Sequence, residues 1–398
     1  MTAPRAFETA VGISGIWLGA PARWSFSSLA EVGACPRRYA LRRASYPDVW
    51  DRPGFPDRVT DAALLGTAVH EGVELVLKEL SKAGCMSPAD ERAVAVIRGL
   101  GGYSKIAARC VDEHIQRLSS NPRMAPRLGG LRARLEGRAA EMRRGIQALV
   151  SRSPAAPCES VRDRHHSGNP VKRGSLGEGR HLEATLVAED IHFAGRIDLL
   201  VVHSDRADII DFKTGQPSES HKLQLHLYGL LWQLDETANA RRLPVGSLAL
   251  GYVDGIQEVE PPSDWGELHD WLRDEIAKAE SLVLAPLPVA TPSVECWHCP
   301  VRQLCDEYWD SSFTSRDPES NFVDGEVSIL SRNGPTSWLG RLTSDGSEVL
   351  LRASRDYETL APGSDVRILN AVVGKGEDLG GLILTLTPSS EVFGPIKR

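Results

Sequence analysis

From residue 25 to about 151 apolar residues recur every three or four positions, the spacing of helices with one buried face. The segment "SFSSLAEVGACPRRYALRRAS" opens with Ser27 and Ser28 as candidate caps and sets Leu29, Val32, Tyr39 and Leu41 along one side of a helix. "TDAALLGTAVHEGVELVLKELSKAG" predicts a longer helix that stops at Gly84. The pattern stays helical and Arg-rich from Pro88 to about 151, with a break near "SSNPRMAPRLGG". Residues 152–180, rich in Ser, Pro, Gly and Arg, read as a long, partly disordered loop.

The period then changes to two. "HLEATLVAED", "IHFAGRIDLLVVH" and "ADIIDFKTG" predict three strands of an antiparallel meander, followed by a helix over 220–235, the strand "GSLALGYVD" and the helix "SDWGELHDWLRDEIAKAESLV". That order implies an α/β core around a central mixed sheet. After the linker-like "SSFTSRDPES", five short alternating stretches separated by Gly, Asp and Ser turns have the rhythm of a small five-stranded barrel.

Composition narrows the class. The 398 residues, 41% hydrophobic and 25% charged, suffice for a sizeable core. The apolar run "VGISGIWLGA" is short, lacks a basic flank and continues into structured chain, and no stretch approaches the ~20 apolar residues of a membrane span. A cytoplasmic protein is expected. The net charge of −7 excludes a uniformly basic coat, but residues 98–180 hold 17 Lys and Arg against 7 Asp and Glu. That excess is either a solvated helical face or a phosphate-binding surface. Of seven cysteines, Cys296, Cys299 and Cys305 cluster, which fits a metal site in a reducing compartment better than a disulfide framework. Three thiolates on a short stretch admit zinc or an iron–sulfur cluster alike. Cys85, Cys110 and Cys158 belong to no motif and are expected as buried thiols.

Candidate chemistry centres on "DFKTG". Asp211 and Lys213, two apart on a strand, share a face while Phe212 points to the core. A hairpin with "GRIDLL" would set the Asp198 and Asp211 carboxylates side by side, where they repel unless a cation lies between them. Mg²⁺ suits such oxygen ligands, and Lys213 would offset charge building on a phosphate. The tripeptide taken alone reads as a structural salt bridge at a strand end, and the other motifs change that weight. His70 and Glu74 lie one helical turn apart, with Gly66 permitting close approach of the helix. Gln224 and Tyr228, also i and i+4, either meet a phosphate backbone or pack under the sheet.

Together, "SFSSLAEVGACPRRYAL", "GTAVHEGVE", "GRIDLL", "DFKTG", "QLHLY" and "CWHCPVRQLC" resemble, in order over about residues 25–310, the RecB-like PD-(D/E)xK nucleases of the iron–sulfur subgroup, which includes AddB-like subunits and CRISPR-associated exonucleases. The resemblance implies a restriction-endonuclease-like α/β core, into which the Arg-rich helical stretch is inserted, and the tail separately resembles an OB-fold barrel. It assigns His70, Asp198 and Asp211 to Mg²⁺ or Mn²⁺, Lys213 to catalysis, and Gln224 with Tyr228 to the motif that follows the active site. It makes Cys35 the fourth ligand beside Cys296, Cys299 and Cys305 of a 4Fe–4S staple, zinc being the alternative. The implied division is a nuclease domain over 1–310 with an Arg-rich insertion at 98–180, a linker at 311–321, and the barrel at 322–398.

The insertion and tail depart from the shorter CRISPR-associated relatives, and no Walker-type phosphate loop is present. The expectation is a stand-alone deoxyribonuclease, exo- or endonucleolytic, acting on DNA that is single-stranded or has single-stranded ends, beside a helicase or defence-system partner in repair or anti-phage defence. The alternative is a non-catalytic DNA-binding scaffold in a helicase–nuclease complex. In the tail, Trp338 and Tyr357 are candidates for stacking on bases, but residues 323–398 hold 8 Lys and Arg against 10 Asp and Glu, so docking to a partner protein competes equally.

Overall fold

The structure, a computed structural model, describes residues 4–155, 173–310, 322–375 and 382–397. Cys158, the linker and much of the predicted long loop fall outside these residues. A small antiparallel hairpin, β1 (Arg5–Glu8) and β2 (Ser14–Trp17), precedes the helices. The segment read as one helix is two, α1 (Phe26–Ala34) and α2 (Pro36–Arg43). Its cap is Ser25 rather than Ser27 or Ser28: Ser25 exchanges hydrogen bonds with Ser28 in a capping box. Cys35 separates the two helices in an extended conformation, and its sulfur accepts from Arg38 N–H as the cap of α2, where Pro36 supplies a ready-made first turn.

Helix α3 (Asp61–Lys82) is capped by Thr60, and α4 (Ala93–Gly99), α5 (Gly102–Leu118), α6 (Leu128–Gly137) and α7 (Ala139–Arg152) complete the helical part. The central sheet follows with β3 (Gly179–Ala188), β4 (Phe193–Val202) and β5 (Ala207–Lys213), then α8 (Glu219–Leu234), β6 (Val245–Tyr252), β7 (Ile256–Val259) and α9 (Trp265–Val283). Its order is β3-β4-β5-β6-β7, with the predicted meander antiparallel and β5–β6 parallel. The parallel pair needs a crossover, and α8 supplies it. Alternate residues separate two cores. Ile209, Leu200 and Leu250 face α8, α9 and the N-terminal helices, whereas Phe212, Ile210, Leu199 and Val201 face α3, α5 and α7.

Two single-turn helices, Val294–His298 and Arg302–Leu304, carry the late cysteines into α10 (Asp306–Asp310). The remaining strands are β8 (Phe322–Gly334), β9 (Ser337–Leu342), β10 (Glu348–Ala353), β11 (Asp365–Lys375), β12 (Leu382–Leu386) and β13 (Glu391–Phe393). Five of them, in the order β12-β10-β9-β8-β11, close into a barrel through the β11–β12 pairing, and β10–β12 is parallel. This agrees with the predicted rhythm and is consistent with an OB-like barrel. Trp338 is a correction: 1% exposed, it packs in the barrel core with Val327, Leu351 and Ile368 and offers no face to a base. Tyr357 is half-buried, with the Arg355 guanidinium 4.8 Å from its ring centre. Among the described residues no helix is long and apolar enough to cross a membrane.

Several arginines of the basic region are committed to carboxylates: Arg117 to Glu71, Arg132 to Asp112, Arg134 to Asp61 and Arg138 to Glu141. For these four arginines the pairing fits the first of the two readings, a solvated helical face.

Candidate active site

The C-terminal end of β5 and the middle of β4 bring the two aspartates together. Leu199 pairs with Ile210, so the register carried one residue further sets Asp198 opposite Asp211. Asp198 Oδ2 accepts from Phe212 N–H at 2.7 Å. Burial, and then the neighbouring Asp211 charge, push the Asp198 carboxyl well above the usual range. Asp211 is 2% exposed, and its Oδ2 has no hydrogen-bond donor. Lys213 Nζ stands 2.5 Å from that oxygen, a charge contact outside hydrogen-bond alignment.

Lys213 is held from α8. Its ammonium donates to Gln224 Oε1 at 2.8 Å, and Gln224 Nε2 donates to Tyr228 Oη at 2.8 Å. Of the two readings of Gln224 and Tyr228, neither is complete: they line the cleft, yet their direct bonds run to the lysine and to each other. Gly195 on β4 makes room for this chain, because a β-carbon there would stand 2.8 Å from the Tyr228 ring. Burial pushes the Tyr228 phenol up, so it stays protonated.

His70 enters from α3, its Nδ1 3.5 Å from Asp198 Oδ2. Burial pushes its pKa down, which favours the neutral imidazole. The expected close approach at Gly66 is present: a β-carbon there would meet Thr214 Oγ1 at 2.9 Å, on the turn after β5. His70, Asp198, Asp211, Lys213, Gln224 and Tyr228 therefore all line one open cleft of about 460 Å³. Its further lining includes Ser25, Ser27, Arg196, Thr214 and His221. Glu74 is not among the lining residues. His221 was missed, although its i−3 relation to Gln224 on α8 was a readable signal. Tyr252, which bonds His221, carries no such signal, since only the parallel β5–β6 register places it beside Lys213.

The four cysteines of the motif face a second, separate cavity, Cys35 from the α1–α2 junction and Cys296, Cys299 and Cys305 from the turns after α9. Backbone N–H groups of Arg38 and Thr291 point at Cys35 Sγ, and that of Ser293 at Cys296 Sγ. Burial pushes the Cys299 thiol up to about 11 and that of Cys305 up to about 12. Cys85 and Cys110 are buried, as expected.

Among the described residues no three His, Cys, Asp or Glu side chains are so placed that they hold a metal ion as they stand. The donor sets nonetheless suit the groups in question. Two buried carboxylates that repel one another, with a neutral imidazole beside them, suit a hard divalent cation. An all-thiol set with amides directed at sulfur suits zinc or an iron–sulfur cluster.

A family model described as the PD-(D/E)XK nuclease superfamily matches residues 23–306. No curated protein matches the chain. Among solved structures, a murine DNA binding protein bound with ds DNA is 11% identical, covering 50% of this chain and 85% of that one at a TM-score of 0.17. The p204 HINb domain is 12% identical, covering 56% and 99% at a TM-score of 0.15. At such TM-scores neither likeness carries an argument.

Proposed function

Because the chain belongs to the PD-(D/E)XK nuclease superfamily, we propose that it is a Mg²⁺- or Mn²⁺-dependent deoxyribonuclease whose centre is the cleft of His70, Asp198, Asp211 and Lys213. The observation that carries this reading is the pair of facing buried carboxylates on β4 and β5 beside a lysine held in place by Gln224. His70, Asp198 and Asp211 would hold the cation, which supplies Lewis-acid polarisation and lowers the pKa of water. Lys213 donates to a non-bridging oxygen of the scissile phosphate and offsets its growing charge. Gln224, accepting from Lys213 and donating to Tyr228, limits the ammonium to one orientation. The substrate and pathway we infer are DNA with single-stranded character and DNA repair or anti-phage defence, both carried over from the RecB-like resemblance.

End-labelled single- and double-stranded DNA incubated with Mg²⁺ or Mn²⁺ tests this. Cleavage is expected from the native protein and not from Lys213→Ala or Asp211→Ala. DNA binding without metal-dependent cleavage by the native protein would favour the scaffold alternative.

We infer further that Cys35, Cys296, Cys299 and Cys305 hold a 4Fe–4S cluster of the iron–sulfur RecB-like subgroup. The reading is supported by their common cavity and by the amides aimed at Cys35 and Cys296. Anaerobically purified protein should carry about four irons per chain, and Cys299→Ser should lose them. Stoichiometric zinc in place of iron would make the site a zinc staple.

A further inference from the structure

We propose that His221, oriented by Tyr252, is a substrate-binding residue of this cleft, donating from Nε2–H to a phosphodiester oxygen of the bound strand. The inference rests on the nuclease reading of the cleft and adds a contact that the His70, Asp198, Asp211 and Lys213 set does not contain. His221 lies in the first turn of α8, three residues before Gln224, so the two side chains share one helix face. Tyr252 is the β6 partner of Lys213 on β5. From that buried position its hydroxyl lies 3.0 Å from His221 Nδ1.

The direction of that bond sets what His221 presents to the cleft. In the proposed arrangement the Tyr252 hydroxyl donates its proton to His221 Nδ1, which acts as the acceptor. A neutral imidazole that accepts at Nδ1 carries its hydrogen on Nε2. Partial burial, and next the Lys213 charge, lower the His221 pKa and keep the ring neutral. Among the described residues Nε2 has no hydrogen-bond partner, while the ring lines the cleft with Lys213, Thr214 and Gln224. A neutral donor at this place contacts a phosphate oxygen without competing with the carboxylates for the cation. Tyr252 touches no substrate and is a positioning residue.

The competing explanation is that the His221–Tyr252 bond only fastens α8 to the sheet. Two isosteric substitutions separate these roles, because Asn keeps a polar atom near Nδ1 and Gln keeps an amide donor near Nε2. The full chain carrying Lys213→Ala, in Ca²⁺, is titrated against a fluorescein-labelled single-stranded oligonucleotide and read by anisotropy, with melting temperatures recorded in parallel. Adding His221→Ala should weaken binding by about five- to tenfold, the effect of losing one phosphate hydrogen bond. His221→Gln should stay within about twofold of its parent and His221→Asn should resemble Ala. Tyr252→Phe should fall between them and add nothing once His221 is Ala. Equal affinity for His221→Ala and its parent, or rescue by Asn and not by Gln, overturns the proposal.

The same substitutions on the Lys213 background that cleaves keep the two readings apart. Loss of cleavage in Lys213→Ala with native behaviour of His221→Ala removes this inference alone. No metal-dependent cleavage by the native protein, together with the predicted Gln-over-Asn ranking in binding, removes the nuclease reading and leaves the contact. No binding of DNA by any form removes both.

Discussion

At the scale of single residues the decisive quantity is the cost of placing Asp198 and Asp211 against each other in a buried sheet end. A carboxyl whose folded pKa is raised holds its proton longer in the folded state than in the unfolded chain, so stability falls as pH rises. For Asp198 this penalty begins near the ordinary carboxyl range of about 4 and grows as pH passes through the raised folded value. Asn keeps an oxygen for Phe212 N–H but cannot ionise. In EDTA, Asp198→Asn should therefore lose less thermal stability than the native protein between acidic and neutral pH, and Mg²⁺ should raise the native melting temperature while leaving the variant nearly unmoved. Parallel melting curves for the two proteins across pH would mean that the Asp198 charge is not what the fold works against.

At the scale of elements, the chain from Lys213 to Gln224 to Tyr228 depends on how tightly α8 lies on β4. Gly195→Ala would drive a β-carbon into Tyr228 and Leu231, each 2.8 Å from its ideal position. Overpacking of this kind should cost about 1–3 kcal/mol and lower cleavage more than its melting-temperature change alone explains, because Tyr228 moves away from Gln224. A melting curve and a single-turnover rate check the two halves of that expectation. Elements with a clear period were legible in the sequence: α3, β3 to β5, α8, β6, α9 and the five barrel strands all announce themselves by spacing of 3.6 or 2. The break between α1 and α2 was not, because apolar positions continue in phase across Cys35 while its extended backbone stops the helix. The four-residue strands β1, β2 and β7 are too short to show a period. Trp338 misled for a related reason: an aromatic in an alternating stretch faces in or out according to barrel closure, which strand rhythm alone does not reveal.

At the scale of the whole molecule, the barrel is fastened to the rest by charges whose partners lie far apart in sequence, which no local pattern announces. Glu391 on β13 accepts from both Arg123 Nε and Nη2 at 2.9 Å, with Arg58 and Arg127 within 4 Å, and both Glu391 and Arg123 side chains are 7% exposed. Arg123 also donates to Pro300 O, inside the cysteine segment. From that segment Arg302 pairs with Asp324 on β8 and donates to Asn370 on β11, while Arg367 joins Glu326 to Asp306. The cysteine loop thus lies between the α/β core and the barrel, and what orders the thiols also orders the arginines between them. Burial alone would raise the Glu391 pKa, but Arg123 and its neighbours outweigh that and hold it below the usual carboxyl range. A depressed folded pKa means stability that is present above the unfolded value of about 4.3 and lost as pH falls through the folded one. Breaking one partner of a buried pair leaves the other uncompensated, at a cost of about 3–5 kcal/mol. Glu391→Ala, which leaves three arginines facing an apolar gap, should therefore release the barrel: limited proteolysis at neutral pH should cleave between about residues 305 and 325 in the variant under conditions that spare the native protein. The native protein should become equally sensitive only as pH drops below the carboxyl range. Native-like resistance of Glu391→Ala at neutral pH would show that apolar packing of Trp309, Leu369 and Phe393, not the buried charges, holds the barrel in place.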